Sequence, residues 1–285
     1  MTAVAVKKQQ AAAATPAAYD IKVRRMDFEF SDDIPEFWYG NDPFRTLLLA
    51  ALSGGFPEGE RFFIDSVRNF QDQVTDPELQ QAIRAFIGQE GHHSKEHREL
   101  NAFLERKGYS ISKIDKWVGK GMNMYRRRYS KERQLAQTAA VEHFTALLAE
   151  QYLLNSDELD QMDPRMAPIW AWHAIEESEH KNVAFDVYRA TVNDEWIRRS
   201  QMAITSVMFV TFTTLDMIRL LRESGHAGDI KMWARGINYF WGFPGRFRKL
   251  IPGYLDYYRR DFHPSQHNNH ALIEKARRRY LGNKA

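Results

Sequence analysis

From Asp42 onward, apolar residues recur every three or four positions, the spacing that lays one apolar stripe along a helix. Alternating β-branched runs are scarce, and no Asn-Gly hairpin signal occurs. The pattern predicts an all-α chain with well-marked helix starts. Asp42-Pro43 sets a capping side chain before a proline at the first helical position, where the missing N–H costs nothing. Thr75-Asp76-Pro77-Glu78 repeats the device with capping-box spacing. Ser130, Asp163-Pro164 and Asp194 open three further segments. The long helices expected are 43–73, 77–107, 129–154, 164–191 and 194–222. A shorter one at 111–127 is weakened by Gly119 and Gly121. The first should kink or break at Gly54-Gly55 and Pro57. Short connections make neighbouring helices antiparallel.

After Gly225 the periodicity degrades into an aromatic, basic region with Trp233, Tyr239, Trp241, Phe243, Arg246, Arg248 and Lys249. Shorter helices and loops are expected there, ending in a helix near 269–281 and packing on the preceding bundle. Residues 1–25 read as a mobile tail, 26–192 as the bundle and 193–285 as the extension. Lys7 and Lys8 interrupt any secretory signal, so a cytoplasmic location is expected. The uncharged run from Ser200 to Leu215 falls short of the roughly 20 residues that span a bilayer. It predicts a buried helix, with an interfacial or hydrophobic-substrate role as the alternative, and membrane association is not expected.

Composition narrows the chemistry. The chain has 285 residues, 44% hydrophobic and 27% charged, ordinary for a globular protein with a sizeable core. Cysteine is absent, which excludes disulfides, thiol nucleophiles and iron–sulfur clusters, so any metal must be held by His, Asp and Glu. A net charge of +3 gives no footprint for nucleic acid.

Acidic and His residues then fall into an order. Glu60 lies on the first long helix, Glu90-x-x-His93 on the second, Glu142 on the next strong one, and Glu177-x-x-His180 on the one after. Residues i and i+3 sit about 60° apart around a helix, so each Glu-x-x-His presents both groups to one ion. A lone Glu from each of two more helices completes a carboxylate-bridged pair of metals. Four carboxylates also match the charge of two divalent ions, and without them would resist burial. Glu142 stands in the apolar Ala139-Ala140-Val141-Glu142-His143-Phe144, where a solvated Glu is out of place. A third pair, Glu223-x-x-His226, borders Gly225 at a helix end and reads as a decoy. His173 shares the face of Glu177 and His180, and His97 that of Glu90 and His93. Either is a further ligand or a supporting histidine, with His97 ranked behind His173. His92, His143 and Glu176 are expected to face away or to support the ligands by hydrogen bonds.

These residues resemble the ferritin-like di-iron carboxylate superfamily. The wider text around Glu90-Gly91-His92-His93-Ser94-Lys95-Glu96-His97, Glu176-Glu177-Ser178-Glu179-His180 and Asp261-Phe262-His263-Pro264 resembles a bacterial family labelled predicted metal-dependent hydrolase. His173-x-x-x-Glu177-x-x-His180 is also similar to the di-iron arylamine N-oxygenases, in which a third His joins the standard six ligands. The resemblance implies a ferritin-like four-helix bundle with additional C-terminal helices. It implies Glu60, Glu90, His93, Glu142, His173, Glu177 and His180 as ligands to two iron ions, with manganese equally acceptable to this donor set.

The leading expectation is an oxidoreductase that activates O2 as co-substrate. It would act on a small apolar or amine substrate in an aromatic pocket, with an external electron donor. The alternative is a two-metal hydrolase, and the third reading a non-catalytic metal-binding bundle. A homodimer is one assembly open to it.

Overall fold

The structure is a computed structural model that describes residues 19–154 and 156–282. Eleven α-helices follow one another among the described residues: α1 (Pro43–Arg68), α2 (Pro77–Arg106), α3 (Ile111–Arg128), α4 (Lys131–Leu154), α5 (Ser156–Asp160), α6 (Ala167–His180), α7 (Val183–Thr191), α8 (Glu195–Glu223), α9 (Ile230–Trp241), α10 (Ile251–Asp256) and α11 (His270–Ala276). The only β pairing among those residues is one bridge, Tyr39 with Met162. The chain is all-α, as its periodicity predicts.

Caps form at the predicted Asp42, Asp76 and Asp194 and also at Asp229, whereas the start expected at Asp163-Pro164 moves to Ala167, behind Met166 with no side-chain cap. Asp42, Asp76, Asp194 and Asp229 each accept a backbone N–H in the first turn of the helix that follows. Helix α1 does not break at Gly54-Gly55 and Pro57 but runs on through them to Arg68. The proline ring withholds the N–H that would reach the carbonyl of Ser53. Asn101 on α2 fills the vacancy, its Nδ2 donating to Ser53 O at 3.0 Å. The predicted 164–191 helix is instead two, α6 and α7, separated by Lys181 and Asn182. At that break the buried Lys181 ammonium turns to the carbonyl of His267 and to Asn269.

The bundle is built from α1, α2, α4 and α6, with α3 packed along α1 and α2 as the connection between the hairpins. Gly119 permits that approach, since a Cβ there would stand 3.1 Å from the Glu58 carboxylate. The main core joins Leu47, Leu100, Phe103, Met166, Ile169 and Trp172 to Met217, Leu220 and Leu221 of α8. Helix α8 therefore lies against the bundle, beside α1 and α4.

The expectation that 194–222 is a buried helix is corrected. Only 28% of its most apolar window is buried, although the helix is long and apolar enough to cross a membrane. Its inner face is taken up by Arg198, Gln201, Met202, Thr205, Asp216 and Met217, while Val207, Val210 and Leu215 face outward. Of the expected tail, residues 1–18 lie outside the described residues. Residues 19–25 run along the bundle, with Arg24 buried against α6.

Candidate metal centre

The structure brings all seven sequence-selected side chains together in the middle of the bundle. Glu60 comes from α1, Glu90 and His93 from α2, Glu142 from α4, and His173, Glu177 and His180 from successive turns of α6. All are buried. Ligand atoms of Glu60, His93 and His173 lie within 4.8 Å of one another, as do those of Glu90, Glu177 and His180. Glu177 stands between the groups. Its Oε1 is 3.0 Å from His173 Nε2 and 3.6 Å from His93 Nδ1, and its Oε2 is 3.6 Å from His180 Nε2. His180 Nε2 is 3.2 Å from both Glu90 Oε1 and Glu142 Oε2.

Those approaches are close, yet most do not have hydrogen-bond geometry. Both oxygens of Glu60, Glu90 and Glu142, Oε2 of Glu177, Nδ1 of His93 and Nε2 of His180 are buried without a hydrogen-bond partner. Each such atom costs about 1–3 kcal/mol if nothing meets it. Adjacent ligands around a cation at roughly 2.1 Å stand about 3 Å apart, which is the spacing seen here. The residues present fit a pair of divalent ions.

The outer hydrogen bonds settle which nitrogen of each histidine faces the cluster. Gln89 gives its Nε2 to Lys22 O and to Glu179, so its Oε1 accepts the proton of His180 Nδ1 at 2.8 Å. This turns His180 Nε2 toward the carboxylates of Glu90, Glu142 and Glu177. His93 turns Nε2 to Glu176 at 3.1 Å, and Arg24 holds the other oxygen of that carboxylate at 3.0 Å. His93 Nδ1 is the atom left facing Glu177.

For His173 the accounting starts at Pro57. Asn101 must donate to the freed Ser53 carbonyl, so its Oδ1 accepts the Ser53 hydroxyl at 2.7 Å. Ser53 Oγ can then only accept from His97 Nδ1 at 2.9 Å, and His97 Nε2 only accept from His173 Nδ1 at 2.6 Å. With Nδ1 engaged, His173 turns Nε2 to the Glu177 carboxylate at 3.0 Å. His97 is thereby placed behind His173 as its support, not beside the other ligand atoms.

Electrostatics agree with a site short of positive charge. Burial pushes Glu60 and Glu90 well above the ordinary carboxylate range and Glu142 up to about 7. Burial also pushes His93 and His97 down. Burial acts against the ionised forms of Glu177 and His180 too. Even so, the two hold each other charged, with Glu142 also raising His180 and His173 also lowering Glu177. Burial pushes Glu176 up to about 8 against the pull of Arg24. Aromatic rings wall the cluster: Phe56 against His173, Trp172 edge-on to His93, and Phe86 edge-on to His180.

Other candidates do not converge. Glu223 accepts from Ser110 N, and His226 packs on Phe37. Asp261 pairs with Arg259, His263 with Asp186 and His267 with Asp256. His92 is half-buried outside the cluster. His143 is buried and meets Gly253 O at 2.9 Å, tying α4 to the C-terminal segment. A cleft of 1140 Å³ opens between α4 and that segment, lined by Glu150, Lys249, Asp256, His267 and Asn269, and none of the seven clustered residues lines it.

Sequence reasoning passed over Gln89 and Arg24 and left Glu176 undecided. A signal was there. Gln89 and Glu176 each immediately precede the Glu of a Glu-x-x-His, and each holds the histidine of the other motif.

A family model described as predicted metal-dependent hydrolase matches residues 22–268. No curated protein and no solved structure gives a match.

Proposed function

Because the chain belongs to the predicted metal-dependent hydrolase family, we propose that the buried cluster holds two divalent cations and that the protein is a two-metal hydrolase. The observation that carries this reading is Glu177, whose two oxygens face two separate groups of buried ligand atoms. Glu60, His93 and His173 would hold one ion and Glu90, Glu142 and His180 the other, with Glu177 within reach of both groups. The order of a lone Glu and a Glu-x-x-His, twice over on four helices, supports placing the bundle in the ferritin-like superfamily.

Divalent ions bound there would supply Lewis acidity toward a carbonyl or phosphoryl oxygen and a nucleophilic water near neutral pH. The chain's own part is positional. Gln89, Glu176 and His97 keep protons on His180 Nδ1, His93 Nε2 and His173 Nδ1, so that the opposite nitrogens stay free. Phe56, Phe86, Trp170 and Trp172 exclude bulk water from the histidine rings.

A second reading, O2-dependent oxidation at two irons, is favoured by one feature. Every ligand is an oxygen or nitrogen donor on a bundle helix, the donor set of iron and manganese redox centres. The family description favours hydrolysis over it.

The test is metal content followed by turnover. Protein stripped with chelator is reloaded with Zn²⁺, Mn²⁺ or, anaerobically, Fe²⁺, and challenged with chromogenic esters, amides and phosphoesters. Metal-dependent hydrolysis without O2 supports the proposal. Uptake of O2 by the iron form with no hydrolysis in any form transfers the assignment to oxidation.

A further inference from the structure

We propose that the face made by α3, α8 and α10 docks on an anionic lipid surface. The starting observation is the outer side of α8. From Ser200 to Leu215 it carries no charged side chain. Trp196, Ile204, Val207, Val210 and Leu215 are exposed along it, Val207 by 68% and Trp196 by 75%. These positions follow helical spacing, so they form one stripe about 30 Å long at 1.5 Å per residue.

Two elements border the stripe. Helix α3 runs antiparallel beside α8, joined at Ser110–Glu223, Trp117–Phe212 and Tyr125–Gln201. On the other edge Tyr254 of α10 meets Ser206 and packs with Phe144, which stacks on Phe209. Both borders continue the apolar surface and add positive charge. Along α3 the positions Lys113, Trp117, Lys120, Met124 and Arg127 fall at i, i+4, i+7, i+11 and i+14, and all five are exposed. Helix α3 has six cations against one acid, Asp115. The α10 border has exposed Ile251 and Leu255 beside exposed Arg248 and Lys249.

An apolar stripe with tryptophans, bounded on both sides by Lys and Arg, complements acyl chains and anionic headgroups together. A second copy of the chain is the competing occupant, but it would bring a cationic rim against a cationic rim, which costs association. Crossing the bilayer is not open to α8 in this fold. Its inner face, with Arg198, Gln201 and Asp216 buried, is packed on the bundle, so the helix lies on a membrane and does not span it. This inference reverses the expectation drawn from run length alone and does not depend on the chemistry of the metal centre.

The experiment is flotation of the full-length protein with vesicles of phosphatidylcholine alone or mixed with phosphatidylglycerol, alongside its tryptophan emission and its mass in solution. Expected is capture by the mixed vesicles with a blue shift, reversed by high salt. Val207→Asp and the pair Lys113→Glu/Lys120→Glu should each weaken capture by about tenfold or more, with an unchanged circular dichroism spectrum and metal content. No capture by either vesicle overturns the proposal. So does a dimer that Val207→Asp dissociates, which would assign the face to a second copy.

Discussion

Neutralising one carboxylate in metal-free protein should remove part of the stability lost as pH rises from 5 to 7. In Glu142→Gln the side chain keeps its shape and loses its charge. Burial pushes the folded-state pKa of Glu142 from 4.5 up to about 7. A raised carboxyl favours the protonated form in the fold. Its penalty is therefore absent below the unfolded value and grows as pH rises toward the folded one. At about 1.4 kcal/mol per pKa unit, ionisation costs about 3 kcal/mol near pH 7, and only about 1 kcal/mol near pH 5. His180 keeps Glu177 at 3.6 Å in the variant and so retains a carboxylate partner. Urea unfolding in chelator, followed by tryptophan fluorescence, measures both proteins at both pH values. The variant should gain about 2 kcal/mol on the parent between pH 5 and pH 7, whatever fixed cost the buried amide carries. With metal added the parent should gain on the variant, because each site that the parent loads at 100 times its Kd and the variant does not adds about 2.7 kcal/mol. An unchanged difference between the two pH values would refute the picture of Glu142 ionising among buried like charges.

Three further outcomes test the rest of the site. Glu60→Ala or His93→Ala should reduce bound metal from two ions to about one per chain, while Glu223→Ala and His226→Ala leave it unchanged, as read by elemental analysis. Asn101→Asp cannot donate to the Ser53 carbonyl, so it should release His97 and weaken metal binding by about 10–100-fold in chelator competition, with Ser53→Ala acting in the same direction. Arg24→Ala should cost about 1–3 kcal/mol in equilibrium unfolding, because Glu176 then stays buried with one hydrogen bond fewer while Glu179 keeps Arg277.

Much of the site was legible because helical spacing converts chain positions directly into a shared face. Glu90 and His93, or His173, Glu177 and His180, need only 3.6 residues per turn to be neighbours. The role of His97 was not legible. The same spacing that put it on the face of Glu90 and His93 suits a ligand or a support equally. Its role rests on Asn101 and Ser53, which meet only because a proline on a different helix frees a carbonyl. Arg24 was hidden for a related reason. An extended segment has no periodicity to reveal which of its side chains is buried, and 152 residues separate it from Glu176.

Local rules therefore determined most helix starts, the all-α class and the shared face within each Glu-x-x-His, since each follows from interactions within a few residues, whereas the full set of seven was what the family resemblance implied. Tertiary packing decided what local rules leave degenerate. It kept α1 continuous through Pro57, with a donor from α2 on the freed carbonyl. It split 164–191 where Lys181 turns toward the C-terminal segment. It also selected which side of an apolar helix stays open, because hydrophobic burial has no direction along the sequence and depends on which surfaces remain to cover it.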